Sequence, residues 1–334
     1  MRIKLGCILS LFLLLVSGCL QSKPQKLTVY TYSSFPHVLT AKITKYFDDV
    51  YQQKVQFKSF SDTGLLFNQL KLERKKPRAD VVIGLDNNYL PKVTAAKLLQ
   101  PYKPKATPKL QRKMVFDPDF NLIPFDYGYV VFNYNREKLK QLPRTHLDLT
   151  QPHYKGKIIL ENPLTSSPGQ IFLLTTIALY GEPGYLDYWR KLKPNLLTIT
   201  AGWDEAYGMY TDDKAPIVLS YTTSPVYHLL NDHTEKYQAL ILDRAAYVQI
   251  EGIGIVKNAP NPKAAQQLVE YLLSLELQKL IPKSQFMYPV RTDVVLPNSY
   301  RIAGKVKNVL NLPQAKVNAN LQRWLAEWEK MMNE

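Results

Sequence analysis

The chain has 334 residues, 46% of them hydrophobic, with 43 Lys and Arg against 28 Asp and Glu for a formal charge of +15, and two cysteines. Both cysteines, Cys7 and Cys19, fall near the start, so the folded remainder has no cysteine nucleophile, thiolate zinc site or disulfide framework. The length suffices for two domains with substantial cores, and the scattered cations, clustered only briefly as at Arg74-Lys75-Lys76, read as a solvated surface facing anionic lipid rather than nucleic acid.

The first element is a basic start, Met1-Arg2-Ile3-Lys4, followed by an apolar run from Leu5 to Val16 and then Ser17-Gly18-Cys19. Its length and order read as a secretory signal, not a membrane span. The Val16-Ser17-Gly18-Cys19 ending resembles a bacterial lipobox, which implies cleavage before Cys19 and lipid on its sulfur. Residues 1–18 are therefore expected to be a signal peptide and 19–26 a lipid-anchored linker. Nothing later in the sequence is long and apolar enough to cross a bilayer.

Leu27 to Tyr32 (LTVYTY) predicts a strand with Ser33-Ser34 as its turn, and residues 54–60 (KVQFKSF) a second. Leucines 65, 66, 70 and 72 then recur at roughly helical spacing. Asp80 to Leu85 (DVVIGL) is apolar on both faces, as a buried parallel strand should be. Strands alternating with helices argue for α/β architecture.

The Lys- and Pro-rich stretch from Pro101 to Pro118 reads as a surface connection, and Tyr127 to Tyr134 as a long aromatic strand crossing into a second lobe. Two strand-to-helix units follow, 157–160 into 171–180 and 217–221 into 226–230. Tyr247 to Val256 (YVQIEGIGIV) is a second long strand, and Asn261-Pro262 caps and opens a helix. Leu321, Trp324, Leu325, Trp328 and Met332 share one face of a closing helix, which predicts docking against a lobe. Two long strands about 120 residues apart imply a chain that leaves one lobe, builds another and returns, with a cleft able to hinge shut on a ligand.

Signatures of catalysis are sparse: there is no nucleophile elbow, phosphate loop or histidine pair at metal spacing. What recurs is a strand ending in polar residues that turns directly into a helix. Ser61-Asp62-Thr63-Gly64 does so, as do Thr165-Ser166-Ser167-Pro168-Gly169 and Thr222-Thr223-Ser224-Pro225. Helix capping explains each alone, because Ser suits the N-cap and Pro the first helical position. Together they fall at strand carboxyl ends, where α/β sheets bind ligands and free helix N–H groups favour anions. Tyr32, Trp203 and Tyr221 stand at such ends and can stack on a flat or cationic ring.

The segments LTVYTYSSF, ADVVIGLDNN, PFDYGYVVFNYN, NPLTSSPG, GWDEAYGMY, VLSYTTSPVYH and FMYPV, in this order, resemble the thiamine-binding solute receptors of bacterial ABC importers. The resemblance runs from about Leu27 to Val290. It implies a two-lobed periplasmic-binding-protein fold of type II, two mixed sheets flanked by helices with a hinge of two crossing strands. Lobe 1 is expected over 27–122 and 250–283, lobe 2 over 123–249 and 284–334. The implied ligand is thiamine, thiamine monophosphate or thiamine diphosphate, delivered to a membrane permease and its ATPase by a monomeric receptor that needs no cofactor or metal and has no catalytic residues.

The family's ligand positions fall on Asp62, Thr63, Ser166, Ser167, Trp203, Tyr221, Thr222, Thr223 and Ser224, with Tyr32 near the pyrimidine ring. Asp62 would answer the thiazolium charge or the aminopyrimidine donor, and the serines a phosphate or terminal hydroxyl. The sequence departs from the family at Thr63, often Gly, at Phe35-Pro36-His37, where a Trp is common, and at Phe286, often Trp. The alternatives are a receptor of the same fold for ferric iron or a polyamine, and a thiamine-processing enzyme. Iron sites commonly use adjacent tyrosines, absent at Tyr221-Thr222, and the related thiaminases attack with a cysteine that this chain lacks.

Overall fold

The computed structural model describes residues 26–334. The expected signal segment 1–18, the lipidation site Cys19 and all of the linker except Lys26 lie outside the described residues.

The chain begins with β1 (Leu27–Tyr32), α1 (His37–Tyr51), β2 (Val55–Phe60), α2 (Thr63–Glu73) and β3 (Val81–Asp86). β1 pairs in parallel with β2 on one side and β3 on the other. Every residue of β3 is buried, whereas β2 alternates, as an edge strand with one wetted face does. After α3 (Leu90–Ala95) and the short β4 (Leu99–Gln100), the predicted connection holds two single-turn 3-10 helices.

The first crossing strand, β5 (Ile123–Asn135), starts four residues before the aromatic run that announced it. It feeds the second lobe: β6 (Ile158–Glu161), α4 (Ser167–Tyr180), α5 (Gly184–Leu192), β7 (Leu196–Thr200), α6 (Trp203–Thr211), β8 (Ile217–Tyr221), α7 (Ser224–Asn231) and β9 (Tyr237–Leu240). The second crossing strand, β10 (Ala245–Val256), returns the chain to the first lobe. There α8 (Pro262–Leu272) and α9 (Leu275–Gln278) follow; β11 (Tyr288–Pro289) then pairs with β5, before β12 (Asn308–Leu310) and α10 (Gln314–Asn333).

The sheet order is β2-β1-β3-β10-β5-β8-β6-β7, with β4 and β12 beside β10 and β9 and β11 beside β5. The two lobes' sheets thus join in one hydrogen-bonded path, because the crossing strands pair antiparallel with each other from Tyr247 opposite Val130 to Ile253 opposite Ile123. Two apolar cores flank this seam. One gathers Val29, Ile83, Phe125, Ile253 and Leu268; the other gathers Phe132, Leu160, Phe172, Trp189 and Trp324.

α10 docks as its stripe requires: Leu321, Trp324, Leu325 and Trp328 are buried, joined by Met331 rather than the expected Met332. Trp328 meets Trp189 of α5 edge-on, ring centres 5.5 Å apart. Asn261 sits at the N-cap of α8 but its side chain does not cap. It donates instead to Asp80 Oδ2 at 3.0 Å and to the Lys26 carbonyl at 3.1 Å, tying the start of β1 to that of α8.

Candidate functional site

Between the lobes lies a cavity of about 420 Å³, within the range of roughly 300–1,000 Å³ usual for small-molecule sites. Its walls are the strand-to-helix turns. Of the sequence-predicted residues it is lined by Tyr32, Asp62, Thr63, Ser167, Trp203, Tyr221, Thr223 and Ser224. Ser166 and Thr222 are fully buried just behind that lining.

Asp62 is the N-cap of α2, its Oδ1 accepting from the Thr63 N–H at 2.6 Å. The same oxygen accepts from the Ser167 N–H of α4 in the opposite lobe at 3.4 Å, and the Trp203 N–H that opens α6 also faces the carboxylate. Three helix N-termini therefore converge on one side chain. Burial nevertheless outweighs these donors and pushes the Asp62 carboxyl up to about 6.

Ser167 and Ser224 are not caps. Pro168 and Pro225 occupy the second helical position, which places each serine at the first and moves the N-cap back to Ser166 and Thr223, neither of which makes a side-chain cap bond. The hydroxyls are used otherwise. Ser167 donates to Asp86 of the first lobe. Ser224 shares a 2.8 Å hydrogen bond with Ser220 and accepts from the Tyr221 N–H at 3.2 Å, while Thr223 Oγ1, buried, has no partner.

Tyr32 spans the floor. Its hydroxyl donates to Glu251 Oε2 at 2.7 Å and accepts from the Gln285 amide. Gly84, at φ +104°, makes room for this ring: a Cβ there would lie 2.3 Å from Tyr32 Cδ1. On the facing wall Trp203 stacks on Tyr207 with centres 4.7 Å apart and planes 16° from parallel, and donates from Nε1 to Ser220 at 2.9 Å. Tyr221 donates to Gln249 at 2.7 Å.

The lobes touch across the mouth. The Gly64 N–H donates to the Thr165 carbonyl at 3.3 Å, Lys92 donates to Gln170 at 3.1 Å, and Ser33 donates to Asp204. Among the described residues no Lys or Arg lines the cavity, although the chain as a whole is strongly basic.

Sequence reasoning missed Tyr207, Gln249, Glu251 and Gln285. Tyr207 was legible as the residue one helical turn beyond Trp203. Glu251 was legible as a charge inside an otherwise apolar strand. A second such charge, Glu161 at the end of β6, is 1% exposed with both oxygens unpartnered, and burial holds its carboxyl well above the usual range.

The family profile described as bacterial extracellular solute-binding protein matches residues 76–309. The chain belongs to this family. Thiamine-binding periplasmic proteins of Salmonella typhimurium and Brucella abortus are similar to this solute-binding protein. The first is 33% identical, covering 96% of this chain and 97% of its own. The second is 35% identical, covering 91% of each. Among solved structures, a periplasmic thiamin binding protein superposes with a TM-score of 0.86 at 32% identity, covering 92% of this chain and 96% of its own. The cavity of the present solute-binding protein lies at the carboxyl ends of β1, β2, β6, β7 and β8, where α/β sheets hold ligands.

Proposed function

We propose that this protein is a lipid-anchored extracytoplasmic receptor that captures thiamine or its mono- or diphosphate between its lobes and hands it to an ABC permease with its ATPase. The observation that carries this reading is the contrast between a chain of formal charge +15 and a cavity lined by Asp62, Asp204 and Glu251 among aromatic rings. Such a lining favours a ligand that is both aromatic and cationic. The similarity to thiamine-binding relatives over nearly the whole chain supports the choice of that ligand.

In this reading Trp203, Tyr221 and Tyr32 supply ring faces, Asp62 answers the thiazolium charge or the aminopyrimidine donor, and Thr63 and Ser167 hold the rim on either side of it. Thr223 and Ser224, with Thr222 and Ser166 behind the lining, meet the hydroxyl or phosphate end through hydroxyls and main-chain N–H groups. Residues 27–122 with 250–283 form one lobe and 123–249 with 284–334 the other. Met287 and Val290 pack in the first core, which makes the start of that last segment a bridge between them. The receptor acts as a monomer, without cofactor or catalysis, and Cys19 carries the anchor.

Calorimetry of the protein lacking residues 1–18 tests the reading. Saturable binding of thiamine or a thiamine phosphate is expected; no saturable heat at ligand concentrations approaching millimolar would sink it, and saturation by spermidine alone would reassign the receptor to polyamines. Cys19→Ser should release the protein from membranes, and unchanged retention would contradict lipid as the anchor.

A further inference from the structure

Glu251, which lines the cavity but is given no contact of its own in the ligand assignment above, stands in a row of carboxyl groups. In the register of the sheet it lies opposite Asp86 of β3 on one side and opposite Asp126 of β5 on the other. Directly opposed residues project from the same face with Cβ atoms about 5 Å apart, so three carboxyls stand abreast across the seam between the lobes. Glu251 is 6% exposed and the other two are fully buried.

Their partners differ. Asp86 accepts from the Asn88 N–H at 2.7 Å and from the Ser167 hydroxyl, Glu251 accepts from Tyr32, and neither oxygen of Asp126 has a partner. The titratable groups facing the row are Tyr32 on β1, Asp62 at the start of α2, Tyr89 just before α3, Lys92 on α3, Tyr221 on β8, Tyr247 on β10 and Tyr300 beyond β11. The one cation in that set, Lys92, acts on Asp86. A buried carboxylate without a partner takes up a proton, and three neighbours cannot all be ionised. Burial accordingly pushes Asp86 and Glu251 each up to about 7 and Asp126 well above the carboxylate range.

We propose that Glu251 is the specificity-determining contact for the cationic end of the ligand, and that the Asp86–Glu251–Asp126 row makes capture a proton exchange. As the ligand's positive charge settles beside Glu251, the row releases a proton to solvent. Net charge in the buried floor is thereby conserved, and a neutral analogue of the same shape would gain nothing from the exchange. The inference rests on the thiamine reading, and the roles of the three carboxyls follow from position: Glu251 touches the cavity, while Asp86 and Asp126 set its protonation.

The test is titration calorimetry with free thiamine, which has no phosphate to titrate, in phosphate and in Tris at pH 7. The two buffers differ in ionisation heat, so the difference in apparent binding heat counts protons released. A release of about half a proton at pH 7 is expected, with affinity rising about tenfold from pH 6 to pH 8. Glu251→Gln should abolish the release and weaken binding at pH 8 by at least tenfold. Asp86→Asn, which removes the neighbouring charge that raises Glu251, should move the midpoint of release to lower pH. Saturable binding with equal heats in the two buffers overturns the exchange and leaves the receptor reading standing, as does undiminished release or affinity in a folded Glu251→Gln. If that variant does not fold, the wild-type buffer comparison decides. No saturable heat from the wild type overturns both.

Discussion

Gly64 lies in the first turn of α2 at the point where the lobes touch, and its replacement by Ala separates closure from folding. An added Cβ would stand 2.8 Å from the Thr165 carbonyl oxygen, about 0.6 Å inside ordinary contact. Both elements are main chain, so no side-chain rotation relieves the overlap. Parting them by that amount stretches the Gly64 to Thr165 hydrogen bond from 3.3 Å and the Ser167 to Asp62 bond from 3.4 Å beyond useful range. A neutral bond contributes about 1 kcal/mol and one to a charged group about 1.5–3 kcal/mol, so the closed form loses about 2.5–4 kcal/mol. That is roughly a 60- to 700-fold loss of affinity. Alanine is also the better helix former, by up to about 1 kcal/mol, so the ligand-free lobes should be no less stable. Calorimetry with thiamine and a thermal melt without ligand read the two effects separately. Wild-type affinity in Gly64→Ala would refute the reasoning, because the lobe contact would then carry none of the binding energy.

Two further substitutions test the buried charge and the docked helix. Glu161 is protonated in the fold and ionised in the unfolded chain above pH about 4.3, so the folded state binds the extra proton and its stability falls as pH rises toward the folded pKa. Glu161→Gln should therefore stabilise by about 1–3 kcal/mol at pH 8 and by almost nothing at pH 4 in urea unfolding, and equal gains at both pH values would contradict this. Trp328→Ala should cost about 3–5 kcal/mol in the same assay while leaving thiamine affinity within about twofold, since the residue packs on Trp189 away from the cavity. A loss below about 1 kcal/mol would mean that α10 adds little to the second core.

Much of this architecture was legible because its signals are local. The polar turns after β2, β6 and β8 interrupt apolar runs, and the two long strands mark where the chain crosses and returns. The structure brings these turns around one cavity, yet the serines expected to cap their helices stand one position inside them. The shift of one residue, with proline at the second helical position, depends on the path by which each strand enters its helix. The carboxyl row was harder to see. Asp86, Asp126 and Glu251 are spread over 166 positions, and only cross-strand register puts them abreast. Each did leave a trace, an acid at the end of or within an apolar strand, where burial is costly unless the charge has a purpose. Asp62 followed the opposite course. It stood out in the sequence as the acid of a polar turn before a helix, but its capping of α2 and its reach to Ser167 across the cleft required the structure with both lobes in place.

The pairing of β10 between β3 and β5 bears on how the molecule is made. As the chain emerges from its N-terminus, β3 has one free edge, and the strand that covers it begins only at Ala245. The first lobe therefore cannot close around a finished core until most of the polypeptide has been synthesised. Such distant pairing slows folding, because a long loop must be gathered before any contact rewards it. For a protein that works outside the cytoplasm, late completion keeps the chain loose during the interval in which it must be exported.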